Sequence, residues 1–192
     1  MSLIEQLTKQ LSGSALESLA GQLGTDPNTT SSAISAALPM IVGALAKNAS
    51  TQEGASALDS ALSKDHDGSI LDNLGGFLSS TDNGAGAGIL KHVFGNNQPH
   101  VQQGVSQLSG LDVSKVGPLL ENLAPIVMGM LGKQKQQQGL DMGGLASILM
   151  GARNQAQQSG SPAMDMLGSL LDRDGDGSFL DDVGGFLGKF MK

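Results

Sequence analysis

The chain has no cysteine, no tryptophan and no tyrosine, and only five phenylalanines among 192 residues. Without cysteine there is no disulfide framework, no thiolate metal site and no thiol nucleophile. Without large aromatics there is no platform for stacking nucleic-acid bases, and the core has to be built from Leu, Ile, Val, Ala and nine Met. Basic residues are scarce as well. Eleven Lys and Arg against eighteen Asp and Glu leave a net charge of −7, which argues against nucleic acid and against anionic membrane surfaces, because both need clustered positive charge. Cations are the natural electrostatic partner. The amino terminus, M-S-L-I-E-Q-L-T-K-Q, lacks the basic segment and apolar run of a secretory signal. The longest charge-free apolar passages, around 33–46 and 126–131, fall short of the roughly 18 residues that a bilayer span takes. A cytoplasmic location without a membrane span is the expectation.

What is present is a helical period. Leu3, Ile4, Leu7 and Leu11 fall at one-turn spacings, and Leu16, Leu19 and Leu23 repeat the pattern after Gly13. Asp26-Pro27 reads as a helix start, with Asp as cap and Pro at the first helical position. The element that follows, ending near Lys47, is apolar on every face over Ala37–Leu45, so it is expected in the core, kinked at Pro39. Ser50 with Glu53 predicts a capping box opening a helix to about Leu62. Ile70, Leu71, Leu74, Phe77 and Leu78 then form the apolar face of a further helix.

The passage L-A-P-I-V-M-G-M-L at Leu123–Leu131 matches Ala37–Leu45, with Pro125 against Pro39 at an offset of 86. This self-similarity predicts an internal duplication. The organisation expected is a first helical half at 1–80, a Gly-rich linker at 81–88 and a second half at 89–192, all within one compact all-α domain. The acidic segments described next are 109 residues apart. The difference from 86 predicts a 23-residue insertion in the second half, placed in the Gln-rich region between Lys133 and Pro162. The runs K-Q-K-Q-Q-Q and N-Q-A-Q-Q-S-G-S-P read as solvated helix ends or loops.

The densest chemistry lies at Asp172–Asp182, D-R-D-G-D-G-S-F-L-D-D, with five carboxylates in eleven residues. An EF-hand loop takes calcium ligands from positions 1, 3, 5, 7, 9 and 12 with Gly at 6 for a sharp turn. Asp172, Asp174 and Asp176 fill positions 1, 3 and 5, Gly177 is at 6, and Ser178 supplies the carbonyl at 7. Position 12 is Val183, which has no side-chain oxygen, so Asp181 or Asp182 has to close the shell. A thinner copy, Asp65, Asp67, Ser69 and Asp72, precedes the same G-G-F-L; it has Ser63 at position 1, and His66 at position 4 reads as a solvent-facing residue. Both loops also fit helix capping without metal, through Ser178-x-x-Asp181 and Ser69-x-x-Asp72. If the two loops pair as EF-hands do, Ile70 and Phe179 meet.

The motifs L-P-M-I-V-G-A-L, H-V-F-G at His92–Gly95, L-A-P-I-V-M-G-M-L and the terminal D-G-D-G-S-F-L-D-D-V-G-G-F-L-G are similar to those of a bacterial family of unknown function in the YidB-like superfamily. The resemblance spans most of the chain and implies an all-helical fold. It carries no activity, partner or catalytic residue.

Two functions fit. One is a non-enzymatic module that binds Ca2+ at the fuller loop. The other is a helical protein-protein interaction module or homo-oligomer, in which the acidic loops only cap helices and Met40, Met128, Met130, Met142, Met150, Met164 and Met166 either fill the core or line an adaptable groove. An enzyme is not expected. The chain has no nucleophile elbow, phosphate-binding loop or zinc-protease helix, and Gly84–Gly88 lacks the strand and spacing of a dinucleotide fingerprint.

Overall fold

The computed structural model describes residues 2–79 and 84–171. The segment Asp172–Asp182, with Phe179 and the rest of the carboxyl terminus, lies outside the described residues.

Within them the chain is all-α, with helices and turns and no strand. Helices α1 (Leu3–Gln10) and α2 (Ser14–Leu23) are the two short amphipathic elements expected from the leucine spacing. A capping box at Ser2 and Glu5 opens α1, closed by Glu5 N donating to Ser2 Oγ at 3.2 Å and Ser2 N to Glu5 Oε2 at 2.8 Å. Such a cap is worth about 1 kcal/mol.

Helix α3 (Pro27–Asn48) starts where Asp26-Pro27 predicts. Thr29 N donates to Asp26 Oδ1 at 2.9 Å, and the hydrogen bonds from Thr29 hold the Asp26 carboxyl below its ordinary pKa. Every residue from Ala36 to Ala46 is buried, as a stretch apolar on all sides must be. Helical boundaries reach past the apolar run at both ends. By length and composition α3 could therefore cross a membrane, although 78% of its apolar window is buried inside the fold.

Helix α4 (Gln52–Lys64) is capped one residue later than the sequence suggests. Thr51 Oγ1 accepts from Gly54 N at 3.1 Å, while Ser50 Oγ donates back to the Lys47 carbonyl at 2.6 Å. Ser50 is still finishing the turn that ends α3, so it is not available as a cap. A 3-10 turn (Ser69–Asn73) and α5 (Leu74–Ser79) follow, burying Leu71, Leu74 and Leu78.

The segment expected as a linker is helical from Gly84 onward. It forms the start of α6 (Gly84–Phe94). Composition alone pointed to a loop, and tertiary contact overrides it. A Cβ at Gly86 would overlap the carbonyl oxygen of Glu121, so this glycine is there to let two backbones touch. Pro125, four residues beyond Glu121, has no N–H to give that carbonyl. Gly86 thus approaches the place where the proline has left an acceptor free.

The remaining elements are a 3-10 turn (Gly95–Asn97), α7 (Gln98–Ser109), α8 (Val113–Gln138), α9 (Met142–Gln158) and α10 (Pro162–Leu171). Asp112 opens α8 by accepting from Ser114 N at 2.9 Å, and Asp141 opens α9 by accepting from Gly144 N at 2.8 Å. The region expected as an insertion is therefore largely helix: K-Q-K-Q-Q-Q ends α8, and α9 occupies much of the rest. Helix α3 packs against α7, α8, α9 and α10, while α8 also packs against α6 and the Ser69–Asn73 turn. One cluster of buried apolar residues runs from Leu3 to Leu167.

Candidate functional site: an acidic loop seated on a helix

Of the two acidic loops, the described one joins α4 to α5. Asp65 caps the end of α4, its N–H donating to the Ala61 carbonyl at 3.0 Å. Asp67 makes the tight turn. Its Oδ1 accepts from Ser69 N at 3.0 Å, and hydrogen bonds from Ser69, main chain before side chain, hold its carboxyl below the usual range. Gly68 adopts φ 95°, ψ −3°, a left-handed conformation open to glycine at little cost. The Gly at position 6 of the loop pattern is thus used for the sharp turn that position requires.

The turn therefore rests on the Asp67 carboxylate. Ser69 and Asp72 do not form the reciprocal box that their spacing suggests: Gly68 precedes the 3-10 turn without a side-chain cap, and Asp72 faces α8. Lys133 Nζ of α8 lies 3.4 Å from Asp72 Oδ1. Two residues further on, Lys135 Nζ lies 2.5 Å from Asp59 Oδ1 and 2.6 Å from Ser63 Oγ. Ser63, at position 1 of the loop pattern, is still within α4, and its hydroxyl also donates to the Asp59 carbonyl at 2.8 Å. Two lysine ammoniums therefore stand at the two ends of the loop, where a cation would otherwise offset the carboxylates. Among the described residues no three Asp, Glu or His side chains gather as a metal shell would need.

The loop lies directly on the backbone of α8. A Cβ at Gly132 would overlap the His66 carbonyl oxygen, and one at Gly129 would overlap the Ile70 Cγ2 methyl. A Cβ at Gly68, from the other side, would come within 2.9 Å of Lys133 Cβ and 3.1 Å of the Gly129 carbonyl oxygen. These contacts make Gly129, Gly132 and Lys133 a seat for residues 66–72. His66, expected to face solvent, is half-buried instead. Burial lowers its pKa below the ordinary value of 6.5, against an opposing pull from Asp65 and Asp67. Ile70 rests on Gly129; the expected pairing partner, Phe179, lies outside the described residues, as do Asp172, Asp174, Asp176, Ser178, Asp181 and Asp182.

Sequence reasoning missed the seat. Its signal was present: two glycines three apart within an apolar run, followed by K-x-K. One turn of helix separates Gly129 from Gly132, so both bare positions face the same way. The Met residues divide. Met40, Met128, Met130 and Met164 are buried, Met166 is partly buried, and Met142 and Met150 are exposed at 43% and 37%. Most of them therefore fill the core, as an aromatic-poor interior requires.

No curated protein and no solved structure matches the chain. A family model does match, over residues 5–134, which takes in most of α1, the elements from α2 to α7, the described acidic loop and most of α8 with its seat. The chain belongs to the family described as bacterial protein of unknown function, DUF937.

Proposed function

We propose that this protein is a non-enzymatic helical module that binds one Ca2+ in its terminal acidic loop, through Asp172, Asp174, Asp176, the Ser178 carbonyl, and Asp181 or Asp182. The observation that carries the reading is the contrast between the two loops. The described loop retains the D-G-S turn but has α8 lysines beside it, at Asp72 and at Ser63. The terminal loop has the same D-G-S with a fuller ligand set, and Arg173 as its single basic residue. Five carboxylates within eleven residues repel one another unless a cation joins them. Calcium suits a flexible carboxylate loop better than magnesium, which demands near-ideal octahedral geometry.

Titration calorimetry on EDTA-stripped protein tests this. Calcium heats are expected for the wild type and are abolished by Asp174→Asn with Asp176→Asn. Absence of heat at millimolar calcium would sink the proposal. The second reading, an interaction module whose acidic loops are metal-free turns, is favoured by the described loop itself, which is held by hydrogen bonds, glycine contacts and lysines.

A further inference from the structure

The seat on α8 has a counterpart on α3. Gly43 and Gly129 stand 86 residues apart, at the offset that relates Pro39 to Pro125. As Gly129 receives Ile70, so Gly43 receives α10: a Cβ there would come within 2.6 Å of Leu167 Cδ2 and 3.2 Å of Met164 Cε. The neighbours correspond as well. Helix α5 packs on α2, and α10 packs on α7. Leu71 and Asp72 at the first seat, and Met164 and Leu167 at the second, belong to a shared pattern: L-D-N-L-G-G-F-L at Leu71–Leu78 and M-D-M-L-G-S-L-L at Met164–Leu171 are identical at four of eight positions. Both seats are thus filled by described residues.

The terminal segment carries the pattern a third time, as L-D-D-V-G-G-F-L at Leu180–Leu187. It is closer to the first copy than the second copy is. Over 65–78 against 174–187, ten of fourteen residues are identical, including Asp67/Asp176, Gly68/Gly177, Ser69/Ser178 and Asp72/Asp181. These are the residues that make the turn, touch Lys133 and pair with it in the described loop. Two contact positions differ: His66, which meets Gly132 through its carbonyl, against Gly175, and Ile70 against Phe179, whose ring is larger than the methyl that rests on Gly129.

We infer that the terminal segment 176–187 is a competing ligand for the Gly129–Lys133 seat of its own chain, displacing residues 67–78 in a minor state. Its tether favours the intramolecular seat, because linkage converts docking into a high-effective-concentration event. It follows from the end of α10, which lies on α3, the helix packed against α8. Phe179 makes it the poorer occupant, so the resident loop holds the seat most of the time.

The natural absence of cysteine makes the test direct. Lys133→Cys with Asp181→Cys is introduced into the full chain and treated with a short bismaleimide in EDTA, so that failure of the calcium proposal leaves this result standing. The cross-link is expected within the chain, severalfold faster with Phe179→Ile added and severalfold slower with Leu187→Asp added. A yield that neither change moves, or a product that is exclusively interchain, overturns the inference.

Discussion

Gly132→Ala puts the account of the seat under the most strain. In an isolated helix the change would stabilise, since Ala is preferred over Gly by about 1 kcal/mol. On α8 the new methyl overlaps the His66 carbonyl oxygen, which is backbone and cannot rotate aside as a side-chain end would. The loop has to lift. Forcing a methyl into a packed contact costs about 1–3 kcal/mol. Lifting also loosens Leu71, which is 8% exposed and whose full burial is worth about 1.5–3 kcal/mol. Taking half of that loss and subtracting the propensity gain leaves a destabilisation of about 2 kcal/mol, or about 4–8 °C in Tm for a chain of this size. The control is Gly151→Ala in α9, where a Cβ meets nothing within 4 Å; it should raise Tm. Thermal unfolding followed by circular dichroism reads both. If Gly132→Ala is as stable as the wild type, the loop is not seated on that glycine.

Three further outcomes follow from the same geometry. In α6, Gly86→Ala should lower Tm and Gly88→Ala should raise it, because the first Cβ meets the Glu121 carbonyl and the second meets open space; equal effects would contradict the close approach. A double-mutant cycle should find coupling of about 1 kcal/mol between Lys135 and the partly buried Asp59, and close to zero between Lys133 and the well-exposed Asp72. Because burial depresses the His66 pKa, the unfolded chain takes up that proton first as pH falls. Stability from this residue is complete above about pH 6.5 and lost below it as pH falls through the depressed value. His66→Gln should flatten that slope in urea titrations, leaving the lower fall as Asp26, Asp67 and Asp112 protonate.

How much of this was legible in the residues depends on range. Asp26-Pro27, the leucine spacings and the all-apolar Ala37–Leu45 are local signals, and they located α1, α2 and α3. The failures come from contacts between distant segments. Gly84–Gly88 reads as a linker until Glu121 is placed against Gly86. Lys133 and Lys135 sit in a low-complexity run until the Ser69–Asn73 turn and α4 are laid alongside. Ser50 lost the cap to Thr51 because its hydroxyl is spent on the Lys47 carbonyl, in the turn that closes α3. At the acidic loop, spacing alone left metal and cap readings open. The described copy is held by long-range partners, Gly129, Gly132 and Lys133, which no local pattern of carboxylates can reveal.

The central functional claim is that cation binding belongs to the terminal loop and not to its seated counterpart. Native mass spectrometry of the EDTA-stripped chain, counted across a calcium series, tests it most directly. One calcium per chain is predicted, lost with Asp174→Asn and Asp176→Asn together and retained with Asp67→Asn. A count of zero, or one calcium that disappears with Asp67→Asn and persists with the terminal changes, would contradict the account.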